Sequence, residues 1–422
     1  MTRFHVPYGK THLDFSIPDS FRTQVLAPAQ IPPLAEPMRE VYRTLDAPAG
    51  GCRLSDFPSA RSVAIAINDK TRPVPLNLLL PPLLQRLAEQ GIPDDAITLI
   101  IATGTHLPMR ADEFASIVSA EILSRHRVVS HDCDNTGNLV DLGTTTRGTP
   151  ILTNRLFVNA ELRIALGNLE PHQFVGFSGG VKCAAIGLGG RTTVTHNHSM
   201  MLNPNANIAR YANNPARQDI EEIGERIGVH FALNSVINEN HEIVHVIAGE
   251  PRTVMQIGIP LVLELYRAPV GAPFDLVITS PGGHPKDINL YQTQKALAHA
   301  TLVTKPGGRV VLCGACPEGT GSDHYDQWIA DKHSHAQVLE AFQREGYRLG
   351  AHKAFMISRD ASRERVLFVT EMPAELTRRC LLERCESLDA ALAIALRGLA
   401  PNARIGIMPY ANATIPVLMA ED

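Results

Sequence analysis

The sequence predicts an α/β protein of two domains, with the active site in the crevice between them. Three observations carry that expectation. Continuously apolar runs, VAIAI at 63–67, ITLIIATG at 97–104, ELRIALGNL at 161–169, FDLVITSPGG at 274–283 and GGRVVLCGAC at 307–316, alternate with helix-like segments. Uninterrupted apolar strands are the pattern of a parallel sheet covered on both faces. Each run ends in a polar or glycine-rich loop, and such loops converge at the carboxyl ends of parallel strands. Finally, 422 residues is about three typical domain lengths, enough for more than one core.

Taken in order, VAIAI runs directly into NDKTRPVP, a polar loop stiffened by proline. LNLLLPPLLQRLAEQ at 76–90 reads as a helix interrupted by prolines, with Gly91 as its stop. The loop GTHLPM at 104–109 follows the next strand, and DEFASIVSAEIL at 112–123 reads as an amphipathic helix capped by Asp112. The acidic cluster DIEEIGE at 219–225 reads as a solvated helix face. A Pro- and Gly-rich stretch, YRAPVGAPF at 266–274, marks the boundary between an N-terminal domain over 1–267 and a C-terminal domain over 268–422. The closing region ARIGIMPYANATIPVL at 403–418 is a candidate to return a strand to the first domain.

Composition narrows the function. At 44% hydrophobic and 19% charged residues the chain is globular rather than disordered. A formal charge of -4 supplies no long-range attraction for nucleic acid or an anionic membrane. No run resembles a signal peptide or membrane span, and seven irregularly spaced cysteines suit reduced thiols, so a cytoplasmic location is expected.

The densest chemical signal is FVGFSGGVKCAAIGLGG at 174–190. Gly179 and Gly180 let main-chain N–H groups approach an anion, and Lys182 adds a cation or a nucleophilic amine. Val181 and Cys183 break the phosphate-loop pattern, and no GxGxxG follows any strand. His106 in GTHLP, His172 in EPHQFVGF, and His196 and His198 in THNHS occupy polar loops or element starts. If THNHS is helical, the last two diverge and only one serves as a ligand. Arg72 can fork onto a carboxylate, with Asp69 and Thr71 beside it; the plain alternative is a surface ion pair. Gln292 and Lys295 are three residues apart on one helical face and can bind a carboxylate; the plain alternative is a solvated lysine. CGAC at 313–316 lacks the following helix of a redox motif, and HDCD at 131–134 lacks a partner at metal-site spacing.

Five motifs in order, DKTRPVP (69–75), GTHLP (104–108), PHQFVGFSGGVK (171–182), NHS (197–199) and YQTQK (291–295), resemble the nickel-dependent lactate racemase family across nearly the whole chain. The resemblance implies a racemase or epimerase that inverts C2 of a 2-hydroxy carboxylic acid. It implies reversible hydride transfer to a nickel-pincer mononucleotide, a pyridine-derived group bound covalently to a lysine and made by other proteins. On this resemblance Lys182 is the attachment point and His198 the protein ligand to nickel. His106 and His172 are the acid and base, and Arg72, Gln292 and Lys295 hold the substrate carboxylate. Asp69, Thr71, Gly179 and Gly180 approach the cofactor. Hydride removal avoids placing a carbanion beside the carboxylate.

The chain departs from the pattern in having Val181 where the family has arginine, which is expected to alter contacts to the cofactor phosphate. It also carries a different loop at CGACPEGTGSDHYDQW and His284 before a proline. These changes leave lactate, malate, aromatic, longer aliphatic and sugar acids open as substrates. Two other readings stand beside this one: a nicotinamide-dependent 2-hydroxy acid dehydrogenase, which needs a dinucleotide cradle, and a non-catalytic protein that binds small anions.

Overall fold

The computed structural model of the chain describes every residue except 59, 349 and 420–422. It is divided into two compact units, one of Ile31–Leu265 and one that combines Met1–Gln30 with Tyr266–Asp422.

The unit Ile31–Leu265 is built on a six-stranded sheet. In spatial order its strands are Ile243–Gly249, Phe231–Ile237, Leu162–Asn168, Val63–Asn68, Ile97–Ala102 and Arg127–Ser130. All neighbours pair in parallel except the outermost Ile243–Gly249. The apolar run at 63–67 occupies the sheet interior, with Ile65 and Ile67 fully buried, as a strand covered on both faces requires. From Val63–Asn68 the chain builds outward on one side through 97–102 and 127–130, then crosses back to lay Leu162–Asn168 on the other side. The strand order therefore reverses between Val63–Asn68 and Leu162–Asn168, which leaves a crevice at their carboxyl ends.

Helix Leu76–Glu89 packs Leu79, Leu80, Leu83 and Leu87 into this core and runs through Pro81 and Pro82. Four buried leucines at about 1.5–3 kcal/mol each offset two interior prolines at roughly 3 kcal/mol each. Gly91 ends the segment at φ +82°. The amphipathic helix expected over 112–123 is instead a 3-10 segment, Ala111–Ser116, followed by a short helix, Ala120–Arg125. Ser119 breaks the run by capping the second piece: its side chain accepts a hydrogen bond from the Ile122 N–H.

The acidic helix also departs from expectation. In Pro215–Ile227, Asp219 and Glu221 are buried and only Glu225 of the cluster is exposed. Both buried carboxylates have hydrogen-bonding partners, so this helix turns part of its charge inward.

The other unit holds a six-stranded parallel sheet in the order Glu383–Cys385, Arg365–Val369, Thr304–Cys313, Phe274–Thr279, Arg404–Met408 and Arg22–Val25. The edge strand Arg22–Val25 comes from the chain's start, so the first 30 residues leave the expected 1–267 domain and pair with Arg404–Met408. The closing strand Ile415–Leu418 pairs with Arg267–Val270 inside this same unit and does not return to the first. All seven cysteines are free. Among the described residues no helix is long and apolar enough to cross a membrane.

Candidate active site

The crevice at the strand-order reversal is an open cleft of about 890 Å³, part of it open to solvent. Asp69, Arg72, His106, His172, Gly179, Lys182 and His198 all line it. Gly180 and Thr71 are not among the lining residues, although each is next in the chain to one that is, while Gln292 and Lys295 belong to the other unit, on the helix Leu290–Thr301.

Asp69 follows the central strand and is 4% exposed. Its Oδ1 accepts from the Thr71 hydroxyl at 2.6 Å and the Thr71 N–H at 3.1 Å, and its Oδ2 lies 2.7 Å from His106 Nδ1. Burial pushes this carboxyl up, but the hydrogen bonds from His106 and Thr71 outweigh it and hold the group below the usual range. A carboxylate that only accepts leaves the proton on His106 Nδ1 and the lone pair on Nε2. The two residues expected to approach the cofactor thus also form the mount for an imidazole. Half of the His106 side chain is exposed.

His172 stands in a two-residue strand, Pro171–His172, folded back on Gly176–Phe177. The Val175 N–H reaches its Nδ1 only at 3.5 Å, the outer limit of a hydrogen bond. Ring packing also orients it. Phe174, 8% exposed, lies edge to face against His172 and against His198, with both pairs of ring centres 4.9 Å apart.

Lys182 opens the short helix Lys182–Ala185 after a two-glycine turn. Gly179 and Gly180 have φ of +80° and +57°, where side chains are strained. A Cβ at Gly179 would come within 2.5 Å of Leu169 Cδ1, and one at Gly180 within 2.8 Å of Met255 Cγ. The turn is clamped from behind. Asn234 Oδ1 accepts from the Gly180 N–H at 2.8 Å, while the fully buried Arg217 donates to the carbonyls of Phe177 at 2.9 Å and Gly179 at 3.2 Å. Arg217 also donates from Nε and Nη2 to Glu221 Oε1. Burial, then the positive charges of Arg72 and Arg217, lowers the Lys182 pKa to about 7. At neutral pH a large fraction of this amine carries a lone pair. Its neighbour Cys183 moves the other way: burial pushes the thiol up to about 12.

His198 lies in the last turn of helix Arg191–Ser199, as does His196. Because the segment is helical, the two rings diverge, and of the pair only His198 lines the cleft. Val181 is 4% exposed and packs against Gly224 of the helix behind. It does not line the cleft, and it brings no charge where the family pattern has arginine.

Sequence reasoning missed Asn234, Arg217, Asp219 and Asn197, the buried polar residues that hold the lining in place. The signal for Asn234 was one amide inside the apolar run FALNSVI, and for Arg217 a Glu four residues on, at Glu221. CGAC supplies no reactive pair, since burial raises both the Cys313 and the Cys316 thiol to about 12.

A strand-end cleft with a low-pKa lysine and three histidines belongs to the class of α/β proteins that handle small molecules. Two family models match, the lactate racemase N-terminal domain over residues 8–209 and the lactate racemase C-terminal domain over 270–415. The lactate racemase of Thermoanaerobacterium thermosaccharolyticum is 30% identical over 420 residues, covering 97% of this chain and 98% of that protein. That of Lactiplantibacillus plantarum is 27% identical over 376 residues, covering 87% and 88%. The structure of the T. thermosaccharolyticum lactate racemase apoprotein superposes with a TM-score of 0.92 at 28% identity, covering 99% of this chain and 100% of that one. A Thermotoga maritima protein, at 19% identity and a TM-score of 0.67, covers 93% and 100% and shares the fold. The chain belongs to the lactate racemase family.

Proposed function

We propose that this protein is a racemase or epimerase that inverts C2 of a 2-hydroxy carboxylic acid, using a nickel-pincer mononucleotide attached to Lys182. One observation carries the reading: a single cleft is lined at once by Lys182, His198, His106, His172 and Arg72. The names of the two curated relatives make lactate the first substrate to test.

The residues fit such a group. An amine with a pKa of about 7 is available for covalent attachment near neutrality. The two-glycine turn, too tight for side chains at either position, leads into the lysine, and His198 offers an imidazole nitrogen of the type a soft, square-planar nickel centre takes. Lys182 and His198 would hold the group, with Gly179, Gly180, Thr71 and Asp69 around it. When bound, it supplies an acceptor that takes hydride from C2 and gives it back.

The chain's own residues handle the proton on the 2-hydroxyl. His106, with Nδ1–H fixed on Asp69, accepts that proton at Nε2, and the buried carboxylate stabilises the imidazolium formed. His172 does the same work for the opposite enantiomer, so each hand of substrate has its own base and, in reverse, its own acid. Arg72 offers a planar fork to the substrate carboxylate. Gln292 and Lys295 are assigned to that carboxylate by resemblance alone. Seven free thiols and loading by cofactor-making proteins fit a cytoplasmic setting.

The test is co-production with the cofactor-making proteins, intact mass and nickel content, then a chiral assay over a panel of 2-hydroxy acids. The expected result is an added mass lost in Lys182→Ala, with nickel and interconversion of enantiomers. An adduct that persists in Lys182→Ala overturns the attachment site. Loaded, nickel-containing protein that racemises no 2-hydroxy acid overturns the activity.

A further inference from the structure

Behind the cleft, one buried carboxylate collects hydrogen bonds from three directions. Asp219 is 0% exposed. Its Oδ1 accepts from the Thr145 hydroxyl at 2.6 Å, and its Oδ2 accepts from the Thr149 hydroxyl at 2.8 Å and from Asn197 Nδ2 at 2.9 Å. Asn197, also 0% exposed, donates its second Nδ2 hydrogen to the Ala216 carbonyl at 2.9 Å.

Both partners of the Asn197 amide nitrogen can only accept, so the orientation of this amide is fixed and its Oδ1 faces His198 Nδ1 at 3.2 Å. An amide oxygen cannot donate. The proton of neutral His198 therefore sits on Nδ1 and the lone pair on Nε2. The same logic runs through Thr149. Its one hydroxyl hydrogen goes to Asp219, so its oxygen accepts from His196 Nδ1 at 2.8 Å. Two histidines that diverge on one helix thus carry the same tautomer, set by one carboxylate.

We propose that Asp219 is a positioning residue for the metal-binding histidine, fixing the tautomer of His198 through Asn197 and that of His196 through Thr149. The inference rests on the reading of His198 as the nickel ligand. A metal-binding imidazole donates its other N–H to an acceptor that fixes the ring and its basicity. Here that acceptor is a neighbouring amide whose own direction is dictated from the next helix. The arrangement serves a group delivered to the cleft from outside, because the lone pair is already on the correct nitrogen.

The test uses cofactor-free protein labelled with 15N-histidine, observed by long-range 1H–15N correlation at about pH 8, above the ordinary imidazole range. His198 and His196 are expected as Nδ1–H tautomers. Asn197→Ala should move His198 Nδ1 toward the unprotonated, pyridine-type position while His196 stays unchanged, and Thr149→Val should do the reverse. Asp219→Asn should disturb both. These single-residue shifts are effects that a purely structural loss would not separate, and Asn197→Ala and Thr149→Val keep the test available if Asp219→Asn does not fold. A wild-type His198 protonated on Nε2, or an Asn197→Ala protein that retains the Nδ1–H form, overturns the proposal. Nickel retention by loaded His198→Ala separates the two ideas. If that variant keeps its nickel while Asn197→Ala still changes the tautomer, the ligand reading fails and the tautomer relay stands.

Discussion

His106 Nδ1 lies 2.7 Å from Asp69 Oδ2, and the second oxygen of that carboxylate is held by Thr71, so the imidazole is mounted on an anion that cannot turn away. Asp69→Asn keeps the shape but lets an amide N–H face the ring, which favours the wrong tautomer. The expected loss in kcat is on the order of 10⁴, as when an acid is replaced by its amide behind a catalytic histidine. Cofactor mass and nickel content should be unchanged. His106→Ala and His172→Ala should each depress interconversion in both directions; near-normal turnover in either removes that residue from proton transfer.

Lys182 should label with amine reagents in the cofactor-free protein along a curve centred near pH 7, because burial and then Arg72 and Arg217 disfavour its ammonium. Ordinary lysines become reactive only near pH 10.4. Peptide mapping across a pH series reads this directly, and a Lys182 curve that coincides with the surface lysines contradicts the assigned environment.

Arg217→Met should cost about 3–5 kcal/mol, since it leaves Glu221 as an unpaired buried charge and frees the carbonyls of Phe177 and Gly179. Denaturant unfolding of the cofactor-free protein measures it. Replacing both partners, as Arg217→Met with Glu221→Leu, should recover much of the loss. A double variant no more stable than the single one would show that the carbonyl contacts, not the pairing, dominate.

The unit containing the chain's two ends should lose stability in mild acid. Burial lowers His299 to about 4 although its Nδ1 donates to the carbonyls of Ala411 and Thr414, and burial followed by the charge of Lys353 lowers His352 to about 3. Unfolded, both histidines take up protons near 6.5, so their contribution is present above that pH and is lost as pH falls toward 4 and 3. Glu364, raised by burial to about 7, acts with the opposite sign: its contribution is present below 4.5 and lost as pH rises through 7. His299→Gln should flatten the acid limb of a stability-against-pH curve and Glu364→Gln should steepen it. An unchanged acid slope in His299→Gln would assign acid sensitivity elsewhere.

Much of the fold was legible because a strand buried on both faces must be apolar throughout. VAIAI, ITLIIA and LRIALGN announce themselves in this way, and the residues just beyond them supply Asp69, His106 and His172. The helices were less legible. Whether Asp219 and Glu221 face water depends on which side of helix Pro215–Ile227 meets Thr145, Thr149 and the Phe177–Gly179 turn, and no local pattern encodes that. Pairing of Arg22–Val25 with Arg404–Met408 joins segments about 380 residues apart, beyond the reach of any periodicity. Val181 shows a further limit: its packing against Gly224 of a helix more than forty residues on is not written in the motif around it.

The unusual basicity of Lys182 exists only once distant segments have met, since Arg72, Arg217 and the surrounding walls arrive from separate parts of the chain. A misassembled copy would present an ordinary ammonium there and resist acylation at neutral pH. Amine labelling near pH 7 would therefore report correct assembly of the cleft, marking molecules in which these segments have met and passing over the rest.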